Sequence, residues 1–235
     1  MRRIQQGFFV LLLLAFSAIT ASADGVSEAM TQGNTFFTLG QYEMAIFQYR
    51  LALAEAGTVQ AAQAHHNIGA CYYQLGQMEN AAREFREALR FTDSYPKAAY
   101  ALGLALEALN DWPAARQAFA QAVQQSNGQQ AEALFELGLL SARDGNYERA
   151  ITEFRQALKH GAHLSPSIHN NIGIMLALTG HATDALQQFT LAYQKSNRKL
   201  AEADHNLKLC RRLLAENSPR LMAELKMTGR TQSTD

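Results

Sequence analysis

The sequence predicts an all-α fold: an α-solenoid of about five helix-turn-helix repeats with a C-terminal capping helix. Three observations predict it. A glycine recurs at Gly33, Gly69, Gly103, Gly138 and Gly173, with steps of 36, 34, 35 and 35 residues. An alanine-aromatic-alanine trio recurs with the same steps. The composition is rich in Ala, Leu and Gln and holds only four prolines, which favours helix over strand.

Composition also narrows the function classes. The 235 residues are 48% hydrophobic, ample for a buried core, so disorder along the whole chain is excluded. Lys plus Arg and Asp plus Glu both number 21, and a chain with no basic excess is not built for nucleic acid. Cys71 and Cys210 are too few and too far apart in sequence for a disulfide framework or a zinc site.

The N-terminus obeys different rules from the rest. Arg2 and Arg3, an apolar run from Phe8 to Phe16 and the small-residue stretch Ala21-Ser22-Ala23 predict a secretory signal peptide over residues 1–23, cleaved after Ala23. The run is shorter than the ~20 residues that cross a bilayer, so the mature chain is expected to have no transmembrane segment; a retained anchor is the alternative. Cleavage leaves 19 basic and 21 acidic residues, a net charge of −2. No cysteine stands at the cut to accept a lipid. The protein is expected to be exported, to the periplasm in a Gram-negative cell.

From residue 24 to 199 the repeat governs, with units at about 26–59, 62–95, 96–129, 131–164 and 166–199. The trios are Ala45/Tyr49/Ala52, Ala81/Phe85/Ala88, Ala115/Phe119/Ala122, Ala150/Phe154/Ala157 and Ala185/Phe189/Ala192. Spacing of i, i+4 and i+7 sets one ring between two small residues on a single helical face, a socket for a neighbouring helix. Five positions before each trio stands Gly40, Gly76, Asn110, Gly145 or Gly180, residues that tolerate the left-handed conformation ending a helix. The earlier glycine lies inside the first helix, where it costs ~1 kcal/mol relative to alanine. Its fivefold recurrence there predicts an approach too close for a Cβ. Residues 200–216 predict a capping helix whose Lys208, Arg211, Arg212 and Glu216 suit an uncovered face, and residues 217–235 predict a flexible tail in which Leu221 to Met227 could form a short helix.

A two-helix unit of about 34 residues with these glycines and Ala-x3-Phe/Tyr-x2-Ala resembles the tetratricopeptide repeat (TPR) family, over residues 26 to about 199. The family's early tryptophan is replaced by Ala29, His65, Ala99, Ala133 and His169, and its late proline by Gly57, Asp93, Asn127, Gly161 and Asn197. The resemblance implies a non-enzymatic scaffold for other proteins, with a concave groove lined by the first helix of each pair. Carried over repeat by repeat, the groove positions fall on Asn34 and Phe37; His66, Asn67 and Tyr73; Lys97, Tyr100 and Leu104; Phe135, Glu136, Leu139 and Arg143; Asn170, Asn171 and Ile174; and, in the cap, His205 and Asn206.

Asn67, Asn171 and Asn206 share one register position. An amide both donates and accepts, so such a row either grips the backbone of a bound peptide or links adjacent helices. The five-position carboxylate clamp of some TPR domains is partly met: Asn34, Asn67 and Lys97 match, while Met30 and Ala101 stand where cations belong. The chain is similar to TPR assembly proteins of Tad/Flp-type and type IV pilus systems, which implies a role in building a pilus or secretion apparatus. An accessory chaperone or adaptor for cell-wall or redox-maturation enzymes fits the same groove. Adjacent His65 and His66 point in different directions, His160, His163 and His169 lack a supporting acid cluster, and no nucleophile or phosphate-loop motif occurs, so no catalytic residue, metal or cofactor is expected.

Overall fold

The computed structural model describes residues 25–216 and 219–229; the expected signal peptide lies outside them. Among the described residues the chain is all-helical. Helix α1 covers residues 25–38, followed by α2 (Tyr42–Leu53), α3 (Thr58–Gln74), α4 (Met78–Arg90), α5 (Pro96–Ala108), α6 (Trp112–Gln125), α7 (Ala131–Arg143), α8 (Tyr147–Leu158), α9 (Ser165–Leu178), α10 (Ala182–Lys195) and α11 (Ala201–Glu216). Short 3-10 turns occupy Ala162–Leu164 and Pro219–Glu224. The chain divides into two compact units between Ala115 and Arg116, within α6. The second repeat's first helix starts at Thr58, earlier than its expected start at 62, because Gly57 already takes the extended conformation that precedes a helix.

One device recurs in four of the pairs. No member of any alanine-aromatic trio is more than 1% exposed. Within a repeat, the ring lies on the bare backbone of the recurrent glycine: a Cβ on Gly69 would sit 2.7 Å from the Phe85 ring, one on Gly138 2.6 Å from Phe154, and one on Gly173 2.7 Å from Phe189. Gly33 stands in the same way under Tyr49. The rings need those glycines.

The pairs are closed by one kind of turn. Gly76 has φ +72° and Asn110 φ +61°, and the residue after each sends its N–H back to the last turn of the helix, Gln77 to the Tyr72 carbonyl at 2.9 Å and Asp111 to that of Leu106 at 2.9 Å. In the second unit two of the links that follow a pair use a related device: Asn127-Gly128 and Asn197-Arg198 take positive φ, and Ser126 and Ser196 then accept hydrogen bonds from the Gln130 and Leu200 amides.

The first unit is cored by Ile46, Tyr49, Ile68 and Cys71 in one cluster, the second by Phe135, Phe154, Ile168, Ile172, Met175 and Phe189. The second unit also carries a buried polar tie: Ser141 donates to the Glu153 carboxylate at 2.6 Å and accepts from Arg116, which pairs with Asp144. A carboxylate only 8% exposed is tolerable because Arg149 and Ser141 both satisfy it. The two cysteines are buried and free, one in each unit.

Residues 217–235 were expected to form a flexible tail in which Leu221 to Met227 could form a short helix; 217–218 and 230–235 lie outside the described residues, and over 219–229 the chain forms a 3-10 turn and then an extended segment seated against α9 and α11. Met222 and Leu225 pack on Leu209 and Leu213, apolar anchors that a frayed tail would not have.

Candidate peptide-binding site

In the first unit the site begins with α3 and α5, the first helices of repeats two and three. Counting back three positions from the recurrent glycine gives His66 and Tyr100, and counting back two gives Asn67 and Ala101. Together with Ala70, Tyr73, Gln74, Phe85, Lys97 and Leu104, His66, Tyr100 and Ala101 line a largely apolar cavity of about 360 Å³. The His66 ring lies 5.5 Å from that of Phe85 and 5.2 Å from that of Tyr95. Burial, reinforced by the nearby Lys97 ammonium, pushes its pKa down to about 4. The imidazole is therefore neutral at pH 7, and its buried Nδ1 has no hydrogen-bond partner among the described residues. An apolar bowl with one cation at its edge and one unmet imidazole nitrogen suits an apolar side chain that carries a polar group beside it.

Asn34 and Asn67 do something simpler here. Asn34 Oδ1 accepts from the Tyr49 hydroxyl at 2.8 Å and from Asn67 at 3.4 Å, so both amides tie neighbouring helices together. The carboxylate-clamp positions supply one cation, Lys97, since Met30 packs into the core and Ala101 lines the cavity.

The second unit uses its asparagines differently. Asn170, Asn171 and Asn206 are completely buried, and together they grip the backbone of the chain's own tail. Asn206 Oδ1 accepts from the Lys226 amide at 2.9 Å while its Nδ2 donates to the Lys226 carbonyl at 2.8 Å. Asn171 repeats the pattern two residues on, accepting from the Thr228 amide and donating to the Thr228 carbonyl, both at 2.8 Å. Asn170 joins the two: it donates to the Lys226 carbonyl and the Thr228 hydroxyl and accepts from Asn206 at 2.9 Å. His205 bonds the Glu224 carbonyl at 3.0 Å. In an extended chain the N–H and C=O of residues i and i+2 point to one side, so two amides that each read one residue stand in for a neighbouring β-strand.

Other expected groove positions fall elsewhere. Phe135 and Ile174 are 1% and 3% exposed and belong to the second unit's core, with the Phe135 ring 5.6 Å from that of Phe154. Leu139 is partly buried against the same core, and Glu136, at the register position of Asn171, is 3% exposed. Residues that share one register position thus lie at different depths, some lining a cavity and others in the core. The residues that register missed are Leu225, Lys226 and Thr228; the apolar pair Met222 and Leu225 beyond a polar cap was the available signal.

The histidines that replace the family tryptophan pair inside their own repeats, His65 with Glu84 and His169 with Gln188, both at 2.8 Å. Among the described residues no group of three or more His, Cys, Asp or Glu side chains is placed to hold a metal ion, and no helix is long and apolar enough to cross a membrane.

Models described as tetratricopeptide repeat match residues 100–164 and 142–199, and one described as TPR repeat matches residues 69–110. No curated protein matches the sequence. Several solved structures share the fold. The MamA protein superposes with a TM-score of 0.65 at 21% identity, over 75% of this chain and 94% of its own. Pseudomonas aeruginosa pilF gives 0.65 at 18%, over 87% and 97%. YrrB, described as a TPR protein with an unusual peptide-binding site, gives 0.63 at 22%, over 80% and 98%.

Proposed function

We propose, from the premise that this chain belongs to the tetratricopeptide-repeat family, that it is an exported scaffold which holds extended segments of other proteins on the first helices of its repeats during assembly of an envelope machine. The observation that carries this is the grip of Asn170, Asn171 and Asn206 on a peptide backbone at Lys226 and Thr228. The same register positions in the first unit, His66, Tyr100 and Ala101, line an open apolar cavity. Backbone bonds give affinity without regard to sequence, and pockets for side chains add selectivity. The predicted signal peptide supports export, and the resemblance to pilus-assembly TPR proteins points to a pilus or secretion apparatus as the client system. That YrrB is described as peptide-binding agrees with a TPR surface of this size serving such a role.

A photo-crosslinking amino acid in place of Tyr100 tests the reading in living cells. Adducts with a segment of an envelope-assembly subunit are expected at position 100 and not at Glu79, an exposed residue outside the cavity. Lys97→Ala should weaken them. Equal adduct yields at positions 100 and 79 would remove the reading, and adducts confined to cell-wall or redox-maturation enzymes would reassign the client.

A further inference from the structure

The tail segment is bound in a way that a structural seal does not require. Covering the end of α11 needs apolar contact, which Met222 and Leu225 supply. The asparagines add a second layer that reads only backbone at Lys226 and ignores its side chain, which is exposed. Met227 is likewise 40% exposed. Thr228 is the opposite: it is 4% exposed, and its hydroxyl accepts from Asn170. The pattern of contact is therefore apolar, free, free, small hydroxyl. Leu225 and Thr228 are specified, while between them Lys226 is held through its main chain and Met227 is exposed.

Three completely buried amides are also expensive to leave unmet. When the tail lifts, Asn171 loses both of the bonds it makes to Thr228, and either water or another backbone must take the tail's place. The tether is short, since α11 ends at Glu216. A segment on such a tether competes at an effective concentration near the millimolar range.

We propose that Leu225–Thr228 is an internal stand-in for the protein's ligand, and that a partner's extended segment of the form apolar-x-x-Thr or apolar-x-x-Ser displaces it from the asparagine row. The proposal rests on the peptide-scaffold reading and adds both a ligand pattern and a regulation to it. The tail sets a threshold: weak or mismatched segments fail to displace it, and a matching segment presented at high local concentration does.

The test uses the full chain and a labelled peptide with the sequence of residues 222–230. Lys226→Pro/Thr228→Pro deletes the two tail N–H groups that Asn206 and Asn171 accept from, without touching any helix. The peptide should bind this variant about tenfold or more tighter than the unaltered chain, as expected when a competing closed state is removed. A peptide carrying proline at the same two positions should not bind, and adding Asn171→Ala to the released chain should abolish binding while circular dichroism stays unchanged. Leu225→Asp serves as a second release variant that keeps Lys226, and in it trypsin should cut after Lys226 faster than in the unaltered chain. Equal peptide affinity for unaltered and released chains would overturn the closure and leave the scaffold reading intact. Binding to neither would show that the row is dedicated to its own tail, and the crosslink at position 100 then judges the scaffold reading separately.

Discussion

At the residue scale, His66 shows how burial sets chemistry. Its environment lowers its pKa to about 4 because burial disfavours the cation and Lys97 repels it. The unfolded chain takes up a proton below pH 6.5 that the folded chain refuses until about pH 4. The contribution to stability is therefore full above pH 6.5 and is lost as pH falls through that window, with an upper bound of about 3 kcal/mol. An NMR titration of the His66 ring should give a midpoint well below 5, and His66→Gln should flatten the acid limb of a melting-temperature profile. A midpoint near 6.5 would show that the ring is solvated. The two thiols follow the same logic in the other direction, with burial pushing Cys71 up to about 12 and raising Cys210 as well, so neither is a ready nucleophile.

At the element scale, the decisive contact is a ring against a helix that has no Cβ. Replacing a helical glycine by alanine ordinarily gains about 1 kcal/mol from propensity. At Gly138 the new methyl would lie 2.6 Å from the Phe154 ring, and overpacking of that kind costs about 1–3 kcal/mol. The clash wins because α7 and α8 would have to separate along their whole contact. Gly138→Ala should therefore lower stability by about 1–2 kcal/mol in urea unfolding, and Phe154→Leu should cost less in that background than alone. Stabilisation by Gly138→Ala would refute the account. Gly145 makes a useful contrast, since a Cβ there meets nothing and only its φ of +74° opposes substitution.

These elements were legible in the sequence because their causes are local. The trio, the helical glycine and the turn residue lie within one repeat, and fivefold recurrence separates them from chance. The candidate site was only half legible. Of the positions that register assigned to a groove, His66, Tyr100 and Leu104 line one cavity, while Phe135 and Ile174 sit in the second unit's core. Repeat register names a helix face, whereas depth along that face depends on what packs over it.

At the scale of the whole molecule, the two units each carry their own core and their own use of the asparagine position, one for tying helices and one for gripping a peptide backbone. The export proposed from the N-terminal sequence would act on the whole chain. Expressed in a Gram-negative host, the protein recovered from the periplasm should begin at Asp24 by intact-mass measurement, and a species retaining Met1 in the cytoplasm would contradict the signal peptide.

The all-helical repeat, its period and its turns can be read from the residues alone, since all of these are short-range and periodic, whereas the seating of a ring on a glycine became visible only in the packed pair. Only the tertiary structure decided what the asparagine row holds. Asn170 and Lys226 are 56 residues apart, the tail shares no repeat signature with the helices it meets, and a side-chain amide shows its partner only once the backbone it bonds has been folded against it.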